Sequence, residues 1–135
     1  MYKKTGAQLS FYDYVRPFGG TLNEENRWIR LAQELDWKAM EEQYSRQFSS
    51  RGGNTALPVR MAFGCLVIRE ALSLTDAETV RQIQENPYLQ YFIGLNEFIT
   101  EAPFSPRSME AFRRRIPPEP VTQAAQRLWK ITSAK

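Results

Sequence analysis

The chain has 135 residues, enough for one domain, and 42% apolar with 13% aromatic residues is enough to close a modest hydrophobic core. It contains no histidine and one cysteine, Cys65. That excludes Ser-His-Asp and Cys-His catalysis, the ordinary zinc sites and any intrachain disulfide. The net charge of +3 is unevenly spread: Pro103 to Lys135 carries +5, whereas Thr75 to Ala102 carries −4. A basic C-terminal third on a near-neutral body fits a polyanion met through one face.

The N-terminal stretch "MYKKTGAQLSFYDY" has no apolar segment after its lysines that could act as a signal peptide. Residues 1–21 read as an irregular arm. Asn23 then suits an N-cap, with Glu24 and Glu25 in a first helical turn where the dipole favours them. Trp28, Leu31, Ala32 and Leu35 follow at the spacing of one buried stripe. Asp36 reads as a second cap, leading into Trp37, Met40, Tyr44 and Phe48, and "SSRGGN" at Ser49 to Asn54 ends that helix with flexible glycines.

Pro58 fits the first turn of a third helix, and Val59 to Leu72, apolar nearly all round, marks the central helix on which the others pack. Its longest apolar run, "MAFGCLVI", is followed by Arg69 and Glu70 and is far shorter than the roughly 18 residues of a membrane span. A cytoplasmic protein is expected. Cys65, inside that run, reads as a small core residue rather than a nucleophile.

"TDAE" at Thr75 to Glu78 has the form of a capping box and opens a helix with Val80 and Ile83 inward. Asn86 and Pro87 interrupt it. "PYLQYFIGL" then predicts a short aromatic helix ended by Gly94, and a loop through Pro103 delivers the chain to Ser105, an N-cap. Pro117 and Pro118 should stop the helix that follows, with Pro120 starting a last one that turns Val121, Ala124, Ala125 and Leu128 inward. No strand-like alternation occurs, so the expected fold is all-α, a compact domain of six or seven helices.

The helix in "SPRSMEAFRRRIPP" carries three consecutive arginines. On a wheel of about 100° per residue, Met109, Phe112 and Ile116 form the inward stripe. Arg107, Glu110, Ala111 and Arg114 face the other way, flanked by Ser108 and Arg115 on one side and Arg113 on the other. A small residue, a hydroxyl and an arginine near the N-terminal half, with further arginines beyond, is what a helix in a DNA major groove requires. The two helices before it complete a helix-turn-helix-like unit. A charge run is also the ordinary composition of a solvated helix face, and arginines stabilise the C-terminal end of any helix.

From Asp36 onward the chain resembles the N-terminal helical domain of bacterial insertion-sequence transposases of the DDE type. The resemblance is carried by Pro58, Met61 and Leu66, by "LTDAE" at Leu74 to Glu78, by "ENPYLQYFIGL" at Glu85 to Leu95, and by "FSPRSMEAFRRRI" at Phe104 to Ile116. It covers about Leu22 to Ile116, leaving 117–135 as a helix leading toward a catalytic domain that the sequence does not contain. The family often has Asp at the position of Ser105, and Arg107 and Glu110 are less typical of it.

The resemblance implies binding to double-stranded DNA at the element's terminal inverted repeats, with Ser108, Met109, Phe112, Arg113 and Arg115 at matched positions. Together with the wheel it makes Arg107, Ser108, Glu110, Ala111, Arg113, Arg114 and Arg115 the candidate DNA-binding residues. The family's chemistry belongs to three acids on a ribonuclease-H-like domain, so no catalytic residue, metal or cofactor is expected in this chain. A small-molecule substrate and a membrane partner are not expected either, and a nucleoid-associated location follows. Acids such as Glu24, Asp36 and Asp76 read as helix caps. A homodimer through the C-terminal helix is a further expectation. The competing reading is a helical interaction or oligomerisation domain, with the arginines solvated and aromatics such as Tyr91 and Trp129 meeting a partner.

Overall fold

The computed structural model describes residues 22–48 and 58–133. Within them lie seven helices and no strand: α1 (Arg27–Glu34), α2 (Trp37–Phe48), α3 (Val59–Leu72), α4 (Asp76–Glu85), α5 (Pro87–Phe92), α6 (Pro106–Arg115) and α7 (Pro118–Ser133). The all-α expectation holds. The expected arm at 1–21 and the glycine-containing segment after Phe48 lie outside the described residues.

Helix α1 starts later than its sequence suggests. Asn26, not Asn23, is the N-cap, its side chain accepting from the Trp28 amide. Asn23 instead organises a turn: its side chain accepts from Glu25 N, its carbonyl accepts from Asn26 N, and its own amide donates to the Tyr88 hydroxyl at 3.0 Å. That tertiary bond fixes Asn23 in a turn, so Glu24 and Glu25 precede the helix. Asp36 does cap α2, accepting from Ala39 N at 3.0 Å.

Helix α3 is the centre. Every residue from Val59 to Ile68 is buried, and α2, α4, α5, α6 and α7 all pack against it. It ends in a Schellman motif: Leu74 N donates to Arg69 O, Ser73 N donates to Glu70 O, and Ser73 takes the left-handed conformation at φ 55°. Gly64 lets the start of the loop after α5 approach closely, since a Cβ there would lie 3.1 Å from Ile93 Cγ2 and 3.3 Å from its Cα.

Of the two arginines of this helix, Arg69 lies in its last turn, whereas Arg60 is buried. Its guanidinium lies against the rings of Trp37 and Tyr91 and donates to the carbonyls of Tyr91 and Phe92 at 2.9 and 3.0 Å. It thereby adds donors to two carbonyls at the end of α5, the first of which also accepts from Gly94 N. Burial pulls its pKa down to about 10, so it stays charged at neutral pH. Around it, Phe92 meets Trp28 and Trp37 edge-on at 5.0 and 5.5 Å.

Thr75 caps α4 by accepting from Glu78 N, and Asn86 ends α4 and caps α5. Helix α7 begins at Pro118 rather than Pro120. Both prolines fall in its first turn, where a missing N–H removes no intrahelical bond, so the Pro-Pro pair ends one helix and opens the next. Val121, Ala124, Leu128 and Ile131 join the common core against α3 and α1.

Candidate nucleic-acid interface

Ser105 sets the start of α6, its hydroxyl accepting from Ser108 N at 3.3 Å, and Pro106 occupies the first turn. Met109, Phe112 and Ile116 are buried, and the Phe112 ring meets Phe104 edge-on at 5.6 Å. The wheel therefore has the correct inward face. The helix rests on α3 and α4, with α2 touching it as well, so it is docked along its length.

The loop between α5 and α6 is tied down by side-chain amides. Gln90, fully buried, donates through Nε2 to Ile83 O and Ile99 O, while its Oε1 accepts from Ile99 N at 2.9 Å. One side chain thus ties α4 and the loop together, and Gln84 adds a bond to Thr100 O. The loop exceeds a standard turn in length, yet its position is fixed by this amide.

The candidate residues divide into two environments. Arg107, Glu110, Arg114 and Arg115 are exposed, and Ser108 and Ala111 are half-buried on the same outward side. Arg114 stands 3.8 Å from Glu110 in a loose, solvent-exposed pair, and Arg115 lies back along the helix, donating to Ala111 O at 3.1 Å. Pairs this exposed contribute little to stability and are easily exchanged.

Arg113 is different. It grips Asp76 with two bonds, Nη1 to Oδ1 at 2.7 Å and Nη2 to Oδ2 at 3.0 Å. Arg69 of α3 donates Nε to the same Oδ1 at 2.7 Å. The Arg113 hydrogen bond is the main cause that holds the Asp76 carboxyl below the usual carboxylate range; partial burial opposes it, and the Arg113 and Arg69 charges add to it. The bond to Asp76 likewise raises the pKa of Arg113.

Sequence reasoning gave Asp76 the part of a cap, but Thr75 fills that part and Asp76 is the first helical residue beside it. Gln90 and Arg60 also went unnoticed. Their bonds reach across 9 and 31 or 32 positions, which no local spacing encodes. Beside Asp76 and Arg113, a cleft of about 260 Å³ opens over Leu66, Ile116 and Val121. It falls below the roughly 300–1,000 Å³ of ordinary small-molecule pockets.

Elsewhere, α1 lies against α7. The Arg27 guanidinium sits 4.9 Å from the centre of the Trp129 ring, and Arg127 pairs with Glu34 through two bonds of 2.6 and 2.9 Å. Trp129 remains 40% exposed. Cys65 is buried and donates to Ala62 O, and burial pushes its thiol pKa well up. Among the described residues no group of His, Cys, Asp and Glu could hold a metal ion, and no helix is long and apolar enough to cross a membrane.

The geometry is thus a cation-bearing helix whose inner face is buried against α3 and α4. A protein from Rhizobium meliloti, called uncharacterized protein ORF8 in nfe locus, is 32% identical over 98 residues, which is 73% of this chain and 47% of that protein. The chain therefore spans about half the length of the curated relative it matches. No solved structure matches it. The family described as transposase domain (DUF772) matches residues 17–115, a span that runs from ahead of α1 to the last residue of α6, and the chain belongs to that family.

Proposed function

We propose that this chain is the DNA-binding N-terminal domain of an insertion-sequence transposase, reading the element's terminal inverted repeats with α6. The observation that carries the reading is that Arg107, Arg114 and Arg115 stand exposed on a helix whose other face is locked into the core. A helix held this firmly presents its side chains in a fixed pattern, which sequence recognition needs and a merely solvated face does not. Arg107, in the first turn, suits a base edge together with Ser108, Glu110 and Ala111. Arg114 and Arg115, further along, suit phosphates. In this reading, strand cleavage and joining belong to acids on another domain, and this chain supplies the grip on DNA.

The test is fluorescence anisotropy with a terminal-repeat duplex and a scrambled duplex at several salt concentrations. The two phosphate contacts, Arg114 and Arg115, should give a slope of about −1.8 in log affinity against log salt, at about 0.9 per contact. Arg114→Ala should weaken binding to both duplexes and make the slope shallower by about one. Arg107→Ala should cost about 1–3 kcal/mol, chiefly on the terminal repeat. Wild-type protein that binds neither duplex would sink the proposal.

A second reading, an oligomerisation domain that associates through α7, is favoured by the exposed Trp129. The two are compatible if a dimer brings two copies of α6 to DNA.

A further inference from the structure

We propose that Asp76 is a positioning residue for the DNA-reading helix, and that Arg113 serves the protein's own architecture instead of a phosphate. The proposal rests on the DNA-binding reading above and deepens it, because it separates the arginines of α6 by task.

Apolar contacts hold the inner face of α6 in the core, but they restrain its roll less sharply than a directional bond does. Met109, Phe112 and Ile116 are buried against α3 and α4, but burial of apolar surface is non-directional and tolerates a small rotation about the helix axis. A carboxylate gripped by a planar guanidinium at 2.7 and 3.0 Å does not, since the two parallel bonds fix both the distance and the angle of the fork. Arg113 follows Phe112 directly and precedes Arg114, so a clamp at this point sets the direction in which the outward arginines emerge. The same carboxylate holds Arg69 of α3 at 2.7 Å and itself belongs to α4. Three helices therefore meet at one acid, and the roll of α6 is referred to the two helices beneath it.

The sign of the expected effect separates this role from simple electrostatics. Removing an acid beside a basic helix strengthens its attraction for any DNA. Removing a clamp instead degrades the geometry by which one sequence is distinguished from another. Asp76→Asn should therefore lower affinity for the terminal-repeat duplex about tenfold relative to the scrambled one, the size of one lost base-specific contact, while scrambled-duplex binding stays level or rises.

Arg113→Lys keeps the charge at an exposed position but loses the fork, and it should reduce discrimination in the same way. Arg113→Gln should leave the salt slope unchanged, in contrast to Arg114→Ala. Partial unfolding cannot imitate this pattern, because it would weaken both duplexes alike.

The measurement is anisotropy on both duplexes across salt for these variants, accompanied by a thermal double-mutant cycle of Asp76→Asn with Arg113→Gln. The cycle should show coupling, with the second substitution lowering Tm by less than it does alone. Tighter binding of both duplexes by Asp76→Asn with a steeper slope would mean that Asp76 restrains a phosphate-binding Arg113, and would overturn the proposal. A shallower slope in Arg113→Gln, full discrimination in Arg113→Lys, or strict additivity in the cycle would overturn it too. If wild-type protein binds no DNA, the DNA-binding reading fails and the positioning role in recognition fails with it, while the cycle still reports whether the clamp exists.

Discussion

At Asp76 one carboxylate accepts from guanidiniums on two other helices, and the consequence is a defined response to acid. Its folded-state pKa is depressed, so its contribution is fully present above the unfolded value of about 3.9 and is lost as pH falls through the lower folded value. Thermal unfolding followed between pH 6 and pH 2.5 should show stability falling on the acid side, with Asp76→Asn flattening part of that limb. Glu34 is shifted in the same direction by its hydrogen bond from Arg127. That pair is more exposed, so Glu34→Gln should flatten the limb less. Equal limbs in wild type and Asp76→Asn would show that the clamp adds nothing to folding. The sequence could not reveal Asp76's task, because Arg69 and Arg113 lie 7 and 37 positions away in opposite directions.

At the scale of elements, α6 illustrates how a resemblance and a mechanism can rest on different residues. Of the residues at matched positions, Met109 and Phe112 are core residues and Arg113 is held by Asp76, so these three dock the helix. The outward residues Arg107, Glu110 and Arg114 lie outside that set, whereas Ser108 and Arg115, on the same outward side, lie within it. Phe112→Ala should cost about 3–5 kcal/mol, a large share of the ~5–15 kcal/mol of an ordinary domain. Urea denaturation checks it, and a loss below about 1 kcal/mol would mean that α6 is not anchored by its ring. Much of the element pattern is legible in the sequence: the extent of α3, the Thr75 and Ser105 caps and the inward stripe of α6 are local matters of spacing and capping chemistry. The start of α1 was misread because a bond from Asn23 N to the Tyr88 hydroxyl, 65 positions away, holds that residue in a turn.

For the whole molecule, α7 closes the core against α3 and α1 and leaves Trp129 at the surface with Arg27 over its ring. An exposed tryptophan stacked by a cation is an amphipathic surface of the kind enriched in protein interfaces. Light scattering across a concentration series should show mass rising above that of the monomer, and Trp129→Ser should abolish the rise. A monomer at every concentration would remove the case for association through this face. Under the DNA-binding proposal, such association would bring two α6 helices to one duplex, as a paired recognition site requires.

What the sequence determined by itself was the helical class, the central place of α3 and the sidedness of α6. Each follows from the periodicity of apolar residues along a chain segment, and a helix repeats that pattern every few residues. The lack of histidine likewise leaves no histidine-based catalysis to this sequence. Only the tertiary structure decided which arginines face outward and which are engaged within the fold. A guanidinium on a long stem has no preferred direction until a carboxylate or carbonyl from another helix comes within about 3 Å. Asp76 for Arg113, the Tyr91 and Phe92 carbonyls for Arg60, and Glu34 for Arg127 are all brought there by packing.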